Sequence, residues 1–540
     1  MTQLPEIFLQ QMQNLLPPEE FLAFCKTYEK PTVRGLRLNR LKAVPPFFTV
    51  AEKNSTGDCE SPVENFIDLP KVPWCADGRI YSDSWRPAKS IFHHAGLFYI
   101  QEPSAMCPVE VLAPQPGDRV LDLCAAPGGK SAQIAGYLVG GGLLLSNDAS
   151  PSRSRALVKN LERMGVTNAV VTTEQPKKLA DRFPAFFDKI LVDAPCSGEG
   201  MFRRDADAVK AYTANKPEAC VAMQTEILRY AARMLKPGGR LVYSTCTFNT
   251  KENEDVIADF LNNNADFALI PIDHEALGIS RGIGLPQTGR IFPHLADGEG
   301  HFVALLTKDF TGNSFKRSKM LPASVKFSHA DDTGQGRPLQ EPNHLQNASA
   351  IGAVSNHPPT ANTYIPKEFA QFCKEYITVA DFPMGQIVGI HGRGGSSEFR
   401  TTRPCNQAAG HQNPKGSRIS NDQTSHGANL YLSPEPLDLH GLRVARSGWF
   451  LGECAKGRFV PSHALAMGLR KEDVRYAVEL SEENAWRYLR GESLDAGGMF
   501  EQIPQGKSWV MVCYKSLPLG WTKLVQGRLK NNLPTGLVVK

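Results

Sequence analysis

Apolar and polar positions alternate between two periods through the middle of this chain. Between residues 101 and 308, short apolar runs are separated by stretches with helical spacing. RVLDL (119–123), LLLSN (143–147), AVVTT (169–173), KILVD (189–193), RLVYS (240–244) and HFVALLT (301–307) read as strands. Residues 131–138, 151–164, 220–235 and 253–261 read as helices, the second with Pro151 at its start and the third with Val221, Thr225, Leu228 and Ala232 on one face. KPGG (236–239) reads as a turn into the fifth strand. Strands separated by helices predict an α/β fold with a doubly wound, mostly parallel sheet, whose ligands bind beyond the carboxyl ends of the strands.

On either side the pattern weakens. Residues 311–363 and 395–428 are rich in Ser, Asn, Gln, His, Pro and Gly, and such composition predicts linkers without a packed core. The remaining chain divides into 1–84, a core at 85–310, a middle C-terminal region at 364–439, and a last unit at 440–540. Removing that last unit is expected to leave the core folded.

A chain of 540 residues exceeds one hydrophobic core, and 41% hydrophobic with 21% charged residues fits a globular protein. The net charge of +5 permits nucleic-acid binding only through a local basic patch. From Lys515 onward, Lys523, Arg528, Lys530 and Lys540 stand without any carboxylate side chain, a composition suited to phosphate contact or to a solvated basic terminus. The opening segment MTQLPEIFLQQMQNLLPPEEF lacks the basic and apolar regions of a signal peptide, and no run of about 18 apolar residues predicts a membrane span. The 12 cysteines form no C-x-x-C pair, so no metal site is expected, and a cytoplasmic setting with reduced thiols is.

Candidate chemistry lies at the strand ends. VLDLCAAPGGKSAQ (120–133) is strand, tight turn, helix. It lacks the first glycine of a nucleotide P-loop, where Cys124 stands, and it lacks G-x-G-x-x-G. An adenosylmethionine loop and a structural turn remain. Asp148 could accept from a ribose diol or cap the helix that begins near Pro151. Glu174 stands at the height of an adenine edge, or is a loop carboxylate. DAPCSGEG (193–200) and YSTCTFNTKENE (243–254) each place a cysteine just past a strand end, on strands expected to be neighbours. Two thiols would then face one pocket. Covalent chemistry on a pyrimidine asks for such a pair: a thiolate adds to carbon 6, carbon 5 attacks a sulfonium methyl, and a base removes the carbon-5 proton. Asp193 is placed to hold the base at N3 and the amino group.

LDLCAAPGGKS, NDASPSR, LVDAPCSGEG, KPGGRLVYSTCT and IFPHLADGEGHFVALL together resemble the Nol/Nop/Sun family of RNA cytosine-C5 methyltransferases. The resemblance spans about residues 85–308. It implies a Rossmann-like core using S-adenosyl-L-methionine, held by Cys124, Ala125, Ala126, Pro127, Gly128, Gly129, Lys130, Asp148, Glu174 and Asp193. It assigns the nucleophile to Cys246 and product release to Cys196. Relatives often have Asp where Glu174 stands. PTVRGLRLNRLK (31–42) resembles the small α+β RNA-facing domain of these enzymes. GWFLGECAKGRFVPSHALAMGL (448–469) and PLGWTKLVQGRLKNNLPTGL (517–536) resemble the tail of bacterial members that act on small-subunit ribosomal RNA, with a PUA-like RNA-binding domain. The resemblance thus implies 16S ribosomal RNA, bare or in a 30S particle, as partner, and a monomer. A transfer-RNA methyltransferase, or an assembly factor without catalysis, are the rival readings.

Overall fold

The computed structural model describes residues 4–42, 69–214, 217–309, 365–379, 386–391, 398–399, 428–495 and 508–540. The polar stretch 311–363 and nearly all of 395–428 lie outside the described residues.

Short β-rich apolar runs bury both faces of a central sheet. Strand β1 (Arg119–Asp122), β2 (Leu143–Asn147), β3 (Ala169–Thr172), β4 (Phe187–Asp193) and β5 (Leu235–Thr245) are parallel. Their order is β3-β2-β1-β4-β5, and β6 (His301–Lys308) adds antiparallel to β5. Helices Gly129–Tyr137, Pro151–Arg163, Pro176–Arg182 and Pro217–Met234 make the crossovers. Two apolar clusters cover the two faces, one around Val120, Leu144 and Val242, the other around Leu121, Leu145 and Tyr243. This alternation along each strand is the period-2 pattern expected of a doubly covered sheet. The KPGG segment lies inside β5 as an interruption of the ladder. Phe187 pairs with Leu235 and Lys189 with Arg240, so residues 236–239 bulge out, with Gly238 at φ 77°.

The flanking units share cores with this sheet and with each other. Helices Glu6–Leu15 and Pro18–Thr27 pack Phe8, Met12 and Phe24 against Phe202, Phe248 and Phe292. An N-terminal sheet runs Lys71–Val72, Cys75–Tyr81, Arg34–Leu38, Phe98–Ile100. Its last strand pairs Leu36 with Ile100. The division at residue 84 therefore cuts through one sheet, because a strand distant in sequence completes its hydrogen bonding.

A second division fails for the same reason. The sheet of Gln386–His391, Ala428–Ser433, Trp449–Ala455 and Arg458–Pro461 crosses residue 440. The last sheet is built from Ala477–Glu479, Ser508–Tyr514, Leu517–Val525, Arg528–Asn531 and Leu494–Asp495. Between the two, β7 (Val444–Arg446) leaves the tail and pairs antiparallel with β3, covering the open edge of the core sheet. Among the described residues, no helix is long and apolar enough to cross a membrane.

Candidate active site

The loops at the carboxyl ends of β1, β2, β4 and β5 meet in one place. After β1, residues 123–128 turn sharply into helix Gly129–Tyr137, with Gly128 at φ 108° where glycine is favoured. Ser131 Oγ donates to Asp122 Oδ2 at 2.6 Å, beneath the loop. Arg153 Nη2 donates to the Ala126 carbonyl at 2.8 Å, and Asn160 Nδ2 to the Pro127 carbonyl at 2.9 Å. Helix Pro151–Arg163 thus holds the loop from behind. The missing Cβ of Gly128 would meet Leu157 Cδ1 at 2.9 Å, so this glycine is required by packing against that helix and does not open onto a ligand.

Asp148 ends β2 with its carboxylate buried. Its Oδ2 accepts from the Ala126 amide at 3.3 Å and its Oδ1 from the Ser150 amide at 2.9 Å. Oδ2 also faces Arg153 Nη1 at 3.4 Å, so Oδ1 keeps the freer lone pair. Asn147 ties the neighbouring strand ends together, donating to the Leu123 and Glu174 carbonyls at 3.2 and 2.9 Å. Glu174 is turned elsewhere. Its Oε1 accepts from Lys178 Nζ at 2.8 Å and from the Arg443 amide at 2.6 Å, and its Oε2 faces Arg443 Nη2 at 3.3 Å. Those hydrogen bonds hold its carboxyl below the usual range despite burial. Its side chain is thus committed to the segment that leads into β7.

The two cysteines come together. Asp193 and Ser244 are register partners at the ends of β4 and β5, so Cys196 and Cys246 follow on adjacent loops. Their sulfurs lie 3.4 Å apart, both half-buried. The hydrogen bond to Cys246, together with burial, pushes the Cys196 thiol well above its ordinary range. Either sulfur can donate to the other across this contact.

Beside this pair, Asp193 Oδ2 accepts from Lys130 Nζ and its Oδ1 from Ser244 Oγ, both at 2.8 Å. His301 Nε2 lies 3.6 Å from Oδ1. Burial alone would raise this carboxyl, but Lys130 and His301 outweigh it and hold it well below the carboxylate range. Asp193 is a fixed anion with a fixed cation at its side.

Three buried side chains lock the cysteine loops, and the sequence reading did not single them out. Glu252 Oε2 accepts from the Ser197 amide at 2.9 Å and from Gln224 Nε2 at 3.0 Å. Glu199 accepts from the Phe248 amide at 2.8 Å and from Gln11 Nε2 at 3.0 Å, tying the first helix to the site. Burial raises both carboxyls. The available signal was the carboxylate-rich TKENE run and the Glu in SGEG, each next to a catalytic cysteine candidate.

The arrangement fits adenosylmethionine. A glycine turn presents a helix N-terminus, Asp148 offers an acceptor at the end of β2, and buried Asp122 Oδ1 beneath the loop has no partner among the described residues.

Comparison with known proteins agrees along the whole chain. Residues 109–307 match the model of 16S rRNA methyltransferase RsmB/F, and residues 4–103 that of the N-terminal domain of 16S rRNA methyltransferase RsmF. Residues 412–469 match the RsmF first C-terminal domain and 475–539 the RsmF PUA domain. The chain is 32% identical to ribosomal RNA small subunit methyltransferase F of Erwinia tasmaniensis, over 99% of this chain and 96% of that protein. It is 30% identical to the protein of the same name from Vibrio campbellii, over 99% and 98%. A solved methyltransferase homologue from Pyrococcus horikoshii is 31% identical, with a TM-score of 0.45 over 56% of this chain and 95% of that one.

Proposed function

The chain belongs to the RsmF family of 16S ribosomal RNA methyltransferases, and on that premise we propose that it methylates carbon 5 of a cytosine in small-subunit ribosomal RNA through a covalent adduct on Cys246. The observation that carries this reading is the pair of sulfurs 3.4 Å apart beside the Lys130–Asp193 ion pair.

Residues 124–130 and Asp148, with Lys130 and Asp193 beside them, would hold S-adenosyl-L-methionine, which would supply a methyl group on a sulfonium. Asp193, an anion, can only accept, so it takes the 4-amino group of cytosine. Lys130, 2.8 Å away, is the donor available for N3. The Cys246 thiolate, stabilised by the Cys196 proton, adds to carbon 6, and the negative charge spreads to carbon 5 and N3. Carbon 5 then takes the methyl group as the donor's sulfur–methyl bond breaks, leaving a neutral thioether. Once Cys246 is bound to carbon 6, the hydrogen bond that kept the Cys196 proton in place is gone. Cys196 gives that proton to water and accepts the one on carbon 5. The carbon 6–sulfur bond breaks, and 5-methylcytosine leaves with the Cys246 thiolate restored. Glu174 supports the site from its edge, since its carboxylate is engaged by Lys178 and Arg443.

The enzyme acts in the cytoplasm as a monomer, on RNA that is bare or already assembled. Incubation with unmodified small-subunit RNA, bare and in 30S particles, followed by nucleoside mass spectrometry, tests this. The expected product is 5-methylcytidine at a discrete site. Methylation of another atom, or of transfer RNA alone, overturns the reading.

A further inference from the structure

Along helix Pro151–Arg163, next to the face that holds the cofactor loop, lies an open cleft of about 380 Å³. That volume lies within the range of small-ligand sites, about 300–1,000 Å³. Residues 93–94, this helix, His463, Leu489 and the last sheet with its tail build it. Its polar wall is His93, His94, Lys159, Asn160, Arg163 and His463, and no carboxylate lines it. Leucines of the last sheet and the tail, Leu519 and Leu537 among them, make the opposite wall.

The cations here meet only neutral groups. Lys159 Nζ donates to the Gly536 carbonyl at 2.9 Å, and Arg163 Nη2 to Asn160 Oδ1 at 3.2 Å, while Nη1 rests on the His93 ring. Burial first, and then these cations, push His93 down to about 3 and His94 to about 4, so both rings stay neutral. Two residues of the wall, Arg163 and His463, each keep one ring or guanidine nitrogen, Nε and Nδ1, buried without a hydrogen-bond partner among the described residues. Lys159 and Arg163, in a cleft with no carboxylate, favour an anionic oxygen from outside, to which both can donate charge-assisted hydrogen bonds. Flat imidazoles and an apolar wall suit a base attached to that anion.

We propose that this cleft holds one nucleotide of the substrate RNA strand, its phosphate between Lys159 and Arg163 and its base against the histidines and the leucine wall. This inference rests on the RNA substrate proposed above. Asn160 links the cleft to the catalytic centre, because the same side chain holds the Pro127 carbonyl of the cofactor loop.

The test uses the full chain and three variants: Lys159→Glu, Lys159→Arg, and Lys177→Glu as an exposed lysine outside the cleft. Binding of small-subunit RNA is measured by fluorescence anisotropy from 50 to 300 mM salt, without methyl donor. Lys159→Glu should weaken binding about tenfold and reduce the salt slope by about 1. Lys159→Arg should restore it, Lys177→Glu should change it less than about twofold, and donor affinity should be equal in all four. Equal loss in both Glu variants, or none in either, overturns the proposal. So does a Lys159→Glu variant that loses inorganic phosphate yet keeps full RNA affinity, which would make the cleft a free-anion site. Failure of wild type to methylate cytosine would overturn the catalytic reading instead, since RNA binding is read without methyl transfer.

Discussion

At the residue scale, charge state decides the roles. Cys196 and Cys246 were legible in the sequence because each follows a strand end within a polar loop. What the sequence could not give was the upward push on the Cys196 thiol. That depends on a 3.4 Å sulfur contact between residues 50 positions apart, and on burial that only folding creates. Glu174 was legible by position but not by partner, since Arg443 arrives from 269 residues away. Lys42 shows the same dependence on distant chain. It lies fully buried, its Nζ donating to the Met467 carbonyl, and burial lowers its pKa from 10.5 to about 7. Between those two values the unfolded chain binds a proton that the folded chain does not. Stability should therefore rise with pH through that window, and the penalty is complete below about 7. Lys42→Met should stabilise the fold at pH 6.5 by on the order of 2 kcal/mol after losing the Met467 hydrogen bond, and so raise the unfolding midpoint. The gain should fade toward pH 10, as thermal melts across that range would record. A gain independent of pH would mean that Lys42 is neutral or paired throughout.

At the element scale, the strand–helix alternation was readable from period and length, and the carboxyl ends located the site. The loop after β5 was not readable, because its conformation is held by groups from other elements. Arg290, fully buried, donates through Nε to Glu254 Oε1 at 2.7 Å and through Nη1 to the Phe248 carbonyl at 2.8 Å. This pair joins the strand Gly289–Ile291 to the start of helix Glu254–Asn263 and fixes the turn that follows Cys246. Arg290→Leu leaves the Glu254 carboxylate buried without its cation. It should cost about 3–5 kcal/mol and slow adduct formation. The double variant with Glu254→Leu should recover part of the stability but little of the rate, because the Phe248 carbonyl still lacks its donor. Calorimetry and single-turnover rates on the same samples would check this. Full recovery of rate in the double variant would mean that the pair serves stability alone.

At the scale of the whole molecule, the tail is not the detachable unit that its composition implied. Composition reports whether a segment can fold, not against what. β7 closes the β3 edge, and buried Arg446 donates from there to the Gly448 and Val166 carbonyls. Leu36 and Phe98 of the N-terminal sheet share a core with Val510, Leu519 and Leu529 of the last sheet. Removing residues 440–540 should therefore strip the sheet edge and expose that core. The truncated chain should melt well below the full chain, by on the order of 10 °C or more, and bind the methyl donor weakly. Unchanged melting and donor affinity would restore the modular picture.

The central claim, covalent catalysis by Cys246 with Cys196 freeing the product, is tested most directly by trapping on a denaturing gel. Wild type and the variants Cys246→Ala, Cys196→Ala and the double variant are incubated with methyl donor and substrate RNA. Cys196→Ala can still add to carbon 6 and transfer the methyl group but has no thiolate to take the carbon-5 proton. It should accumulate a shifted RNA–protein band, while Cys246→Ala and the double variant should show none. A shifted band from Cys246→Ala and none from Cys196→Ala would reverse the two roles and contradict the account.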